Sequence, residues 1–242
     1  MTTVAVILHG GKPHSLSPVP WFSASWLRMW DLGRAIAHLV RRRRLRGIGV
    51  VLVRNSVRGW NDGAEHSALS GARWVLDEIS RQYPAAGVVL VGHSMGGRVA
   101  CALADYPTVR GVVGLAPWLP GTAVTAGEPA SPEAMLFSDD QALAVAHGTN
   151  DRWCPPAQSL SMCERTVAAD VPTIRAEMTG AGHFLLRAPQ QWRRFTALSV
   201  VAMAQRVGPF DPAHRERDGD LHRSVQGVID ELGNTLGNTL KS

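Results

Sequence analysis

The chain has 242 residues, of which 45% are hydrophobic and 19% charged, and its formal net charge is +5. This composition excludes a disordered chain, and the length suits one α/β domain with a substantial core. The low charged fraction is typical of a sheet that is buried on both faces. The three cysteines match neither a disulfide framework nor a zinc site, so we expect reduced thiols at Cys101, Cys154 and Cys163.

The N-terminal stretch predicts a buried strand. Thr3 to Leu8 is apolar and is followed directly by His9-Gly10-Gly11. This run is too short for the core of a signal peptide or for a membrane span. We therefore expect a cytoplasmic protein with no membrane span.

A long amphipathic helix is predicted next, after a proline-containing loop over residues 12–23. From Ser25 onward, apolar positions recur at helical spacing: Trp26, Trp30, Gly33, Ile36, Ala37 and Val40. The helix closes in the arginine-rich run 41–46. Cations suit the negative end of a helix, and no aromatic residues or nucleic-acid motif accompany this run. We interpret it as a solvated helix end and expect no nucleic-acid partner.

Strand and helix patterns keep alternating along the rest of the chain. Further strands are predicted at 48–53, 88–91, 111–115, 142–148 and 173–178. Further helices are predicted at 69–83, 98–106, 156–167 and 189–204. This alternation predicts an α/β fold with a mostly parallel sheet of about six strands and helices on both faces.

We expect one α/β domain over residues 1–207 and a polar tail over 208–242. The proline- and glycine-rich stretch 116–140 interrupts the alternation and is interpreted as a short lid insertion. The tail contains an amphipathic helix pattern over 221–232, formed by Leu221, Val225, Val228 and Leu232. Such a helix would dock on the domain or pair two chains, which predicts a monomer or a homodimer.

The stretch Gly92-His93-Ser94-Met95-Gly96 lies between a predicted strand and its helix. A sharp turn from strand to helix holds its central residue in a strained conformation, and the flanking glycines let the two elements approach closely. The N-terminus of the helix offers free N–H groups to an oxyanion. Ser94 is therefore predicted to be a nucleophile, the alternative being a tight turn with a buried serine.

A serine hydroxyl is a poor nucleophile at neutral pH, so Ser94 needs a base, and the base needs an orienting acid. Asp151 and His183 each follow a predicted strand directly. Because parallel strands end on one side of the sheet, both side chains are expected to reach the same crevice as Ser94.

Other acids and histidines compete for these roles. Asp139 and Asp140 precede their strand instead of following it, so Asp151 is preferred as the acid. Three histidines lie inside strand-end motifs, where this residue type more often serves as a structural hydrogen-bonding group: His9, His93 and His147. We therefore prefer His183 as the base, because glycines surround it after the last strand.

Four local patterns together resemble the α/β-hydrolase superfamily over residues 3 to about 204. They are Leu-His-Gly-Gly at 8–11, Gly-His-Ser-Met-Gly at 92–96, His-Gly-Thr-Asn-Asp-Arg at 147–152 and Gly-Ala-Gly-His at 180–183. The chain order Ser, Asp, His is the order that this superfamily uses. The resemblance implies that Ser94 is the nucleophile, that His183 is the general base and then general acid, and that Asp151 sets the imidazole tautomer.

The resemblance also implies an oxyanion hole, formed by the backbone N–H of Met95 and by one from the loop after the first strand. Gly11 is preferred for the second donor, with Gly10 as the alternative. We expect the superfamily's usual leading hairpin to be missing and no large cap to be present. Small members of this kind resemble carboxylesterases, dienelactone-hydrolase-like proteins and thioesterases. Dienelactone hydrolases proper use a cysteine nucleophile, whereas this chain has Ser94.

These features imply a serine hydrolase that cleaves a small-molecule carboxylic ester or thioester through an acyl-enzyme intermediate. An acyltransferase with the same triad and a non-catalytic binding protein of the same fold are the alternatives. Four loop aromatics are candidates for an apolar acyl or alcohol pocket, the alternative being that each pins its loop to the core: Trp21, Phe22, Trp118 and Trp153. His9 and His14 have no further ligands at metal spacing, so we expect neither a metal nor a cofactor.

Overall fold

Six parallel strands form the centre of the fold. A computed structural model describes residues 1–61, 68–119, 137, 138 and 140–206. Its strands are β1 (Thr3–Leu8), β2 (Ile48–Leu52), β3 (Gly87–His93), β4 (Val109–Leu115), β5 (Ala142–Gly148) and β6 (Thr173–Met178). They lie in the order β2-β1-β3-β4-β5-β6, and every neighbouring pair is parallel. The predicted α/β class and strand number are confirmed.

Helices cover both faces of this sheet, as a parallel sheet requires. They are α1 (Ala24–Arg42), α2 (Ala68–Gln82), α3 (Met95–Ala102), α4 (Pro156–Ala168) and α5 (Pro189–Arg206). Successive residues of a strand face opposite sides. In β1, for example, Ile7 packs in the core with Met29 of α1 and Trp192 of α5, whereas Val6 packs in the core with Leu76 of α2.

The apolar face of α1 differs from the predicted one. Met29, Leu32, Gly33, Ile36 and Val40 are the buried positions, whereas Trp30 is 44% exposed. The helix packs against α5 as well as against the sheet, so its buried surface is turned away from Trp30. The Trp30 ring instead lies under the guanidinium of Arg34, whose Cζ is 4.8 Å from the ring centroid.

Helix α3 is shorter than its predicted extent to Tyr106. It ends at Ala102, because the N–H groups of Ala104 and Tyr106 bond to carbonyls only three residues back and tighten the chain into turns. The chain then enters β4 at Val109, two residues before the predicted start.

Two predicted features lie outside the described residues. Most of the lid insertion over 116–140 is one of them, and the tail over 208–242 with its amphipathic helix is the other. In the helices that the structure does describe, none is long and apolar enough to cross a membrane.

Candidate active site

Ser94 occupies the sharp turn between β3 and α3. Its φ of 55° and ψ of −119° place a non-glycine residue in a sparsely populated backbone region, which costs on the order of 1–3 kcal/mol. The turn is held by the Ser94 carbonyl, which accepts hydrogen bonds from the N–H groups of Gly97, Arg98 and Trp118. The strain expected of a strand-to-helix nucleophile turn is thus present at this serine.

Glycines on both sides of Ser94 permit this close approach. A Cβ at Gly92 would overlap the backbone of Gly96 and Gly97, and a Cβ at Gly96 would overlap the backbone of Leu8 and His9. A change of side-chain conformation cannot relieve either overlap, because the atoms that the added Cβ would overlap belong to the backbone.

Replacing Gly92 by alanine is expected to lower the free energy of unfolding by about 3 kcal/mol, because the added methyl forces the turn apart. Gly71 is a matched control, since it lies in α2 and a Cβ there meets nothing within 4 Å. Gly71→Ala should raise stability by about 0.5–1 kcal/mol. Urea unfolding of both variants tests the expectation, and a Gly92→Ala protein as stable as the parent would contradict it.

The structure brings Ser94, His183 and Asp151 together in one hydrogen-bonded chain. His183 Nε2 lies 2.9 Å from Ser94 Oγ, and His183 Nδ1 lies 2.8 Å from Asp151 Oδ2. In this arrangement the serine hydroxyl donates to Nε2 and the Nδ1–H donates to the carboxylate. His183 and Asp151 are both buried, and they reach the site from the loops that follow β6 and β5.

The Asp151 carboxylate is held in its charged form. Burial by itself raises the pKa of this group, but hydrogen bonds from His147 and His183 and from the backbone N–H groups of Cys154 and Trp153 outweigh it. The result is a pKa well below the usual range of an aspartate. The two backbone donors lie 2.9 and 2.8 Å from Oδ1, which leaves Oδ2 for the histidines.

His147 is the second histidine on this carboxylate. Its Nε2 lies 3.3 Å from Asp151 Oδ2 and 3.0 Å from the Cys154 carbonyl oxygen, and its Nδ1 lies 2.8 Å from Ser159 Oγ. The ring is fully buried. Sequence reasoning placed this histidine among the structural hydrogen-bonding groups without identifying its partner, because only the folded loop brings its Nε2 to the carboxylate.

The competing acids are placed differently. Asp140 lies on the surface, where its Oδ1 accepts a hydrogen bond from Ser138 and its Oδ2 lies 3.9 Å from Arg110. Asp139 lies outside the described residues. Of the described acids, Asp151 is therefore the one that contacts His183.

His93 and His9 form hydrogen bonds with backbone groups around the site. His93 Nε2–H donates to the His183 carbonyl oxygen over 2.8 Å, and the two rings lie 5.0 Å apart. Burial, reinforced by the neighbouring His183, lowers the pKa of His93 to about 3, so this ring stays neutral at physiological pH. His9 donates from Nδ1 to the Gly10 carbonyl and accepts at Nε2 from the Asn55 N–H, which ties the loop after β1 to the loop after β2.

The predicted oxyanion residues lie beside one another. A Cβ at Gly10 would lie 3.2 Å from the Ser94 Cβ, and a Cβ at Gly11 would collide with the Met95 side chain and the Arg58 carbonyl. Met95 is the first residue of α3, so its N–H is one of the unpaired donors of a helix N-terminus. The loop after β1 thus packs directly on the turn that carries Ser94.

A cleft of about 410 Å³ opens above these groups, and Ser94 and His183 both line it. Phe22 lines it too, whereas Trp21 packs edge-on against Phe22 with ring centroids 5.5 Å apart. Trp153 stacks beside the His183 ring at 6.4 Å.

Trp118 faces away from this cleft. It packs with Trp60 around the buried guanidinium of Arg98, whose Cζ lies 4.5 Å from the Trp118 ring and 4.1 Å from the Trp60 ring. Among the four candidate aromatics, Trp118 is therefore the one that pins its loop to the core.

The cationic side chains that line the cleft were not predicted from the sequence. Lys12, Arg28 and Arg58 all line it. No local signal marks Arg28, which looks like an ordinary polar position of an amphipathic helix. Its place in the cleft depends on how the N-terminal end of α1 meets the loop after β6.

A buried thiol, that of Cys154, lies beside Ser94. Burial, with the Asp151 charge as the second cause, raises the pKa of Cys154 to about 12, so this thiol stays protonated. Within the described residues, no group of three or more His, Cys, Asp or Glu side chains is arranged to hold a metal ion.

Comparison with known proteins points to one fold. A family model described as the alpha/beta hydrolase fold matches residues 56–164. A protein of unknown function from Agrobacterium tumefaciens has a similar structure, with a TM-score of 0.62 and 18% identity, over 87% of this chain and 89% of that one. No curated protein matches the sequence.

Two further solved structures share the architecture. MGS-M1, an alpha/beta hydrolase enzyme from a deep-sea metagenome library of the Medee basin, has a TM-score of 0.61 and 17% identity, over 84% of this chain and 85% of that one. A truncated carbohydrate esterase from gut microbiota has a TM-score of 0.58 and 13% identity, over 84% of this chain and 86% of that one. This chain therefore has the alpha/beta-hydrolase fold, as the sequence resemblance implied.

Proposed function

We propose that this protein is a serine hydrolase that cleaves a carboxylic ester or thioester through an acyl-enzyme intermediate. The observation that carries the proposal is the position of His183, which bridges Ser94 Oγ at 2.9 Å and Asp151 Oδ2 at 2.8 Å. These distances allow one proton to move from the serine to the imidazole while the carboxylate holds the ring. Likeness in fold to the carbohydrate esterase supports the same class of reaction.

In the first half of the reaction, Ser94 Oγ attacks the acyl carbon and its proton passes to His183 Nε2. The oxyanion that forms is stabilised by the N–H groups of Met95 and of Gly11, where such donors are worth about 3–4 kcal/mol each. The intermediate then collapses, and the alcohol or thiol leaves with the proton from His183. The buried Asp151 charge stabilises the imidazolium throughout these steps.

In the second half, water enters the cleft and is activated by the neutral His183. Its oxygen attacks the acyl carbon while its proton passes to His183 Nε2. The ester bond to Ser94 then breaks, Ser94 Oγ takes the proton from His183, and the carboxylic acid leaves. His93 acts on this cycle indirectly, because its hydrogen bond to the His183 carbonyl fixes the backbone that carries the base.

Labelling tests the proposal directly. A fluorophosphonate is expected to modify the parent protein at one site, and peptide mapping should place the adduct on Ser94. With a short 4-nitrophenyl ester, a burst of nitrophenolate near one equivalent of enzyme should precede the steady state if the acyl-enzyme accumulates. An adduct on another serine, or no adduct at all, would contradict the assignment of the nucleophile.

A further inference from the structure

The cleft above Ser94 is electrostatically one-sided. Its described lining contains three cations, Lys12, Arg28 and Arg58, and contains no aspartate or glutamate. Asp151 is not part of this lining, and its carboxylate is already contacted by two histidines and two backbone N–H groups. A ligand in the cleft therefore meets positive charge that no carboxylate of the lining neutralises.

Among the three cations, Arg28 lies against the loop that carries His183. It extends from the second turn of α1, and its Cζ lies 5.7 Å from the centroid of the Phe184 ring, next to the catalytic histidine. Burial lowers the pKa of Arg28, yet an arginine keeps its charge at any physiological pH. Desolvating a charge is costly unless a partner compensates it, and no described carboxylate pairs with this guanidinium.

Another arginine that contacts α1 does have a carboxylate partner. Arg193 binds Asp31 of α1 through two hydrogen bonds of 2.7 and 3.0 Å. Arg34, like Arg28, lies over an aromatic ring, but its ring is that of Trp30 at the exposed surface of α1. Arg28 instead lines the cleft, and the planar fork of donors in a guanidinium suits carboxylate and phosphate oxygens.

We propose that the substrate is an ester or thioester that bears an anionic group, a carboxylate or a phosphate, and that Arg28 binds this group. The inference rests on the proposed hydrolase function and narrows its substrate class. Lys12 and Arg58 add to the positive potential, Lys12 from the exposed mouth and Arg58 from the loop after β2. Such a field raises the local concentration of anionic substrates and strengthens their binding.

Matched ester pairs test the proposal. Mono-4-nitrophenyl glutarate and 4-nitrophenyl pentanoate differ by a terminal carboxylate on the acyl part. Likewise, 4-butyryloxybenzoate and its methyl ester differ by a carboxylate on the alcohol part. We expect the anionic member of at least one pair to have a kcat/KM at least tenfold above its neutral partner, and an advantage that shrinks as salt is added.

Variants of α1 assign the preference to one residue. Arg28→Gln should lower the ratio of anionic to neutral kcat/KM by about 10- to 100-fold, the loss expected for a charge-assisted hydrogen bond, and chiefly through KM. Arg28→Lys should restore part of the ratio. Arg34→Gln is the matched control, because it removes the same charge from the exposed side of the same helix and should leave the ratio unchanged.

Inhibition by acetate and by inorganic phosphate, measured on the neutral pentanoate ester, distinguishes the two kinds of anion. Stronger competitive inhibition by one of them, weakened in Arg28→Gln, identifies the group. Ratios near one in both ester pairs, with no competitive inhibition by either anion, would overturn the proposal. In that event, fluorophosphonate labelling of Ser94 would still show the hydrolase function to be correct, so the two conclusions fail separately.

Discussion

Ser94→Ala is expected to lower kcat/KM for a short 4-nitrophenyl ester by about three orders of magnitude or more, and to abolish labelling by a fluorophosphonate. The hydroxyl removed is the one that His183 Nε2 contacts at 2.9 Å. The neighbouring Cys154 cannot replace it, because burial keeps that thiol protonated with a pKa of about 12. The oxyanion donors remain in the variant, so a small residual rate above that of buffer should persist.

A matched control for this variant is Ser80→Ala. Ser80 lies in α2, where its hydroxyl donates to the Leu76 carbonyl at 2.9 Å, away from the cleft. Its loss should leave both labelling and turnover unchanged. If Ser94→Ala kept its labelling, or lost no more activity than Ser80→Ala, then Ser94 would not be the nucleophile.

Asp151→Asn should reduce kcat by about 10³- to 10⁴-fold while the protein stays folded. The asparagine oxygen can still accept from the backbone N–H groups of Trp153 and Cys154. Its amide would then present a donor to His183 Nδ1, which favours the tautomer that carries the proton on Nε2. In that tautomer Nε2 cannot accept the proton of Ser94, and no carboxylate stabilises the imidazolium.

Asp140→Asn is the control for this second prediction, since Asp140 precedes β5 and lies at the surface near Arg110. It removes the same charge without touching His183, so kcat should change by less than about twofold. Steady-state kinetics on both proteins, with circular dichroism to verify folding, provide the measurement. A large loss of kcat in Asp140→Asn, together with an unchanged kcat in Asp151→Asn, would mean that the wrong acid has been identified.

Much of the fold could be predicted because its signals are local. Each strand is a short apolar run, and the alternation of strands with helices leaves a parallel sheet as the expected arrangement. Proximity of Ser94, Asp151 and His183 followed from topology, since the loops after β3, β5 and β6 leave the same edge of the sheet. No long-range packing detail was needed for that inference.

Side-chain orientation was harder to predict. The periodicity of α1 placed Trp30 on the buried face, but the helix packs on α5 as well as on the sheet, and Met29 and Leu32 are buried instead. In the same way, Trp118 looked like a candidate for the crevice, yet its ring packs with Trp60 on Arg98. Both outcomes depend on which distant surface a side chain meets.

What the sequence by itself determined is the strand-turn-helix geometry at Ser94 and the edge of the sheet to which Asp151 and His183 belong. Glycine spacing and strand order dictate both, and these are properties of a local stretch and of a chain direction. Only the tertiary structure decided that His147 shares the Asp151 carboxylate and that Arg28 enters the cleft. These contacts join residues from different segments of the fold, and hydrogen-bond geometry over a few ångströms has no counterpart in residue spacing along the chain.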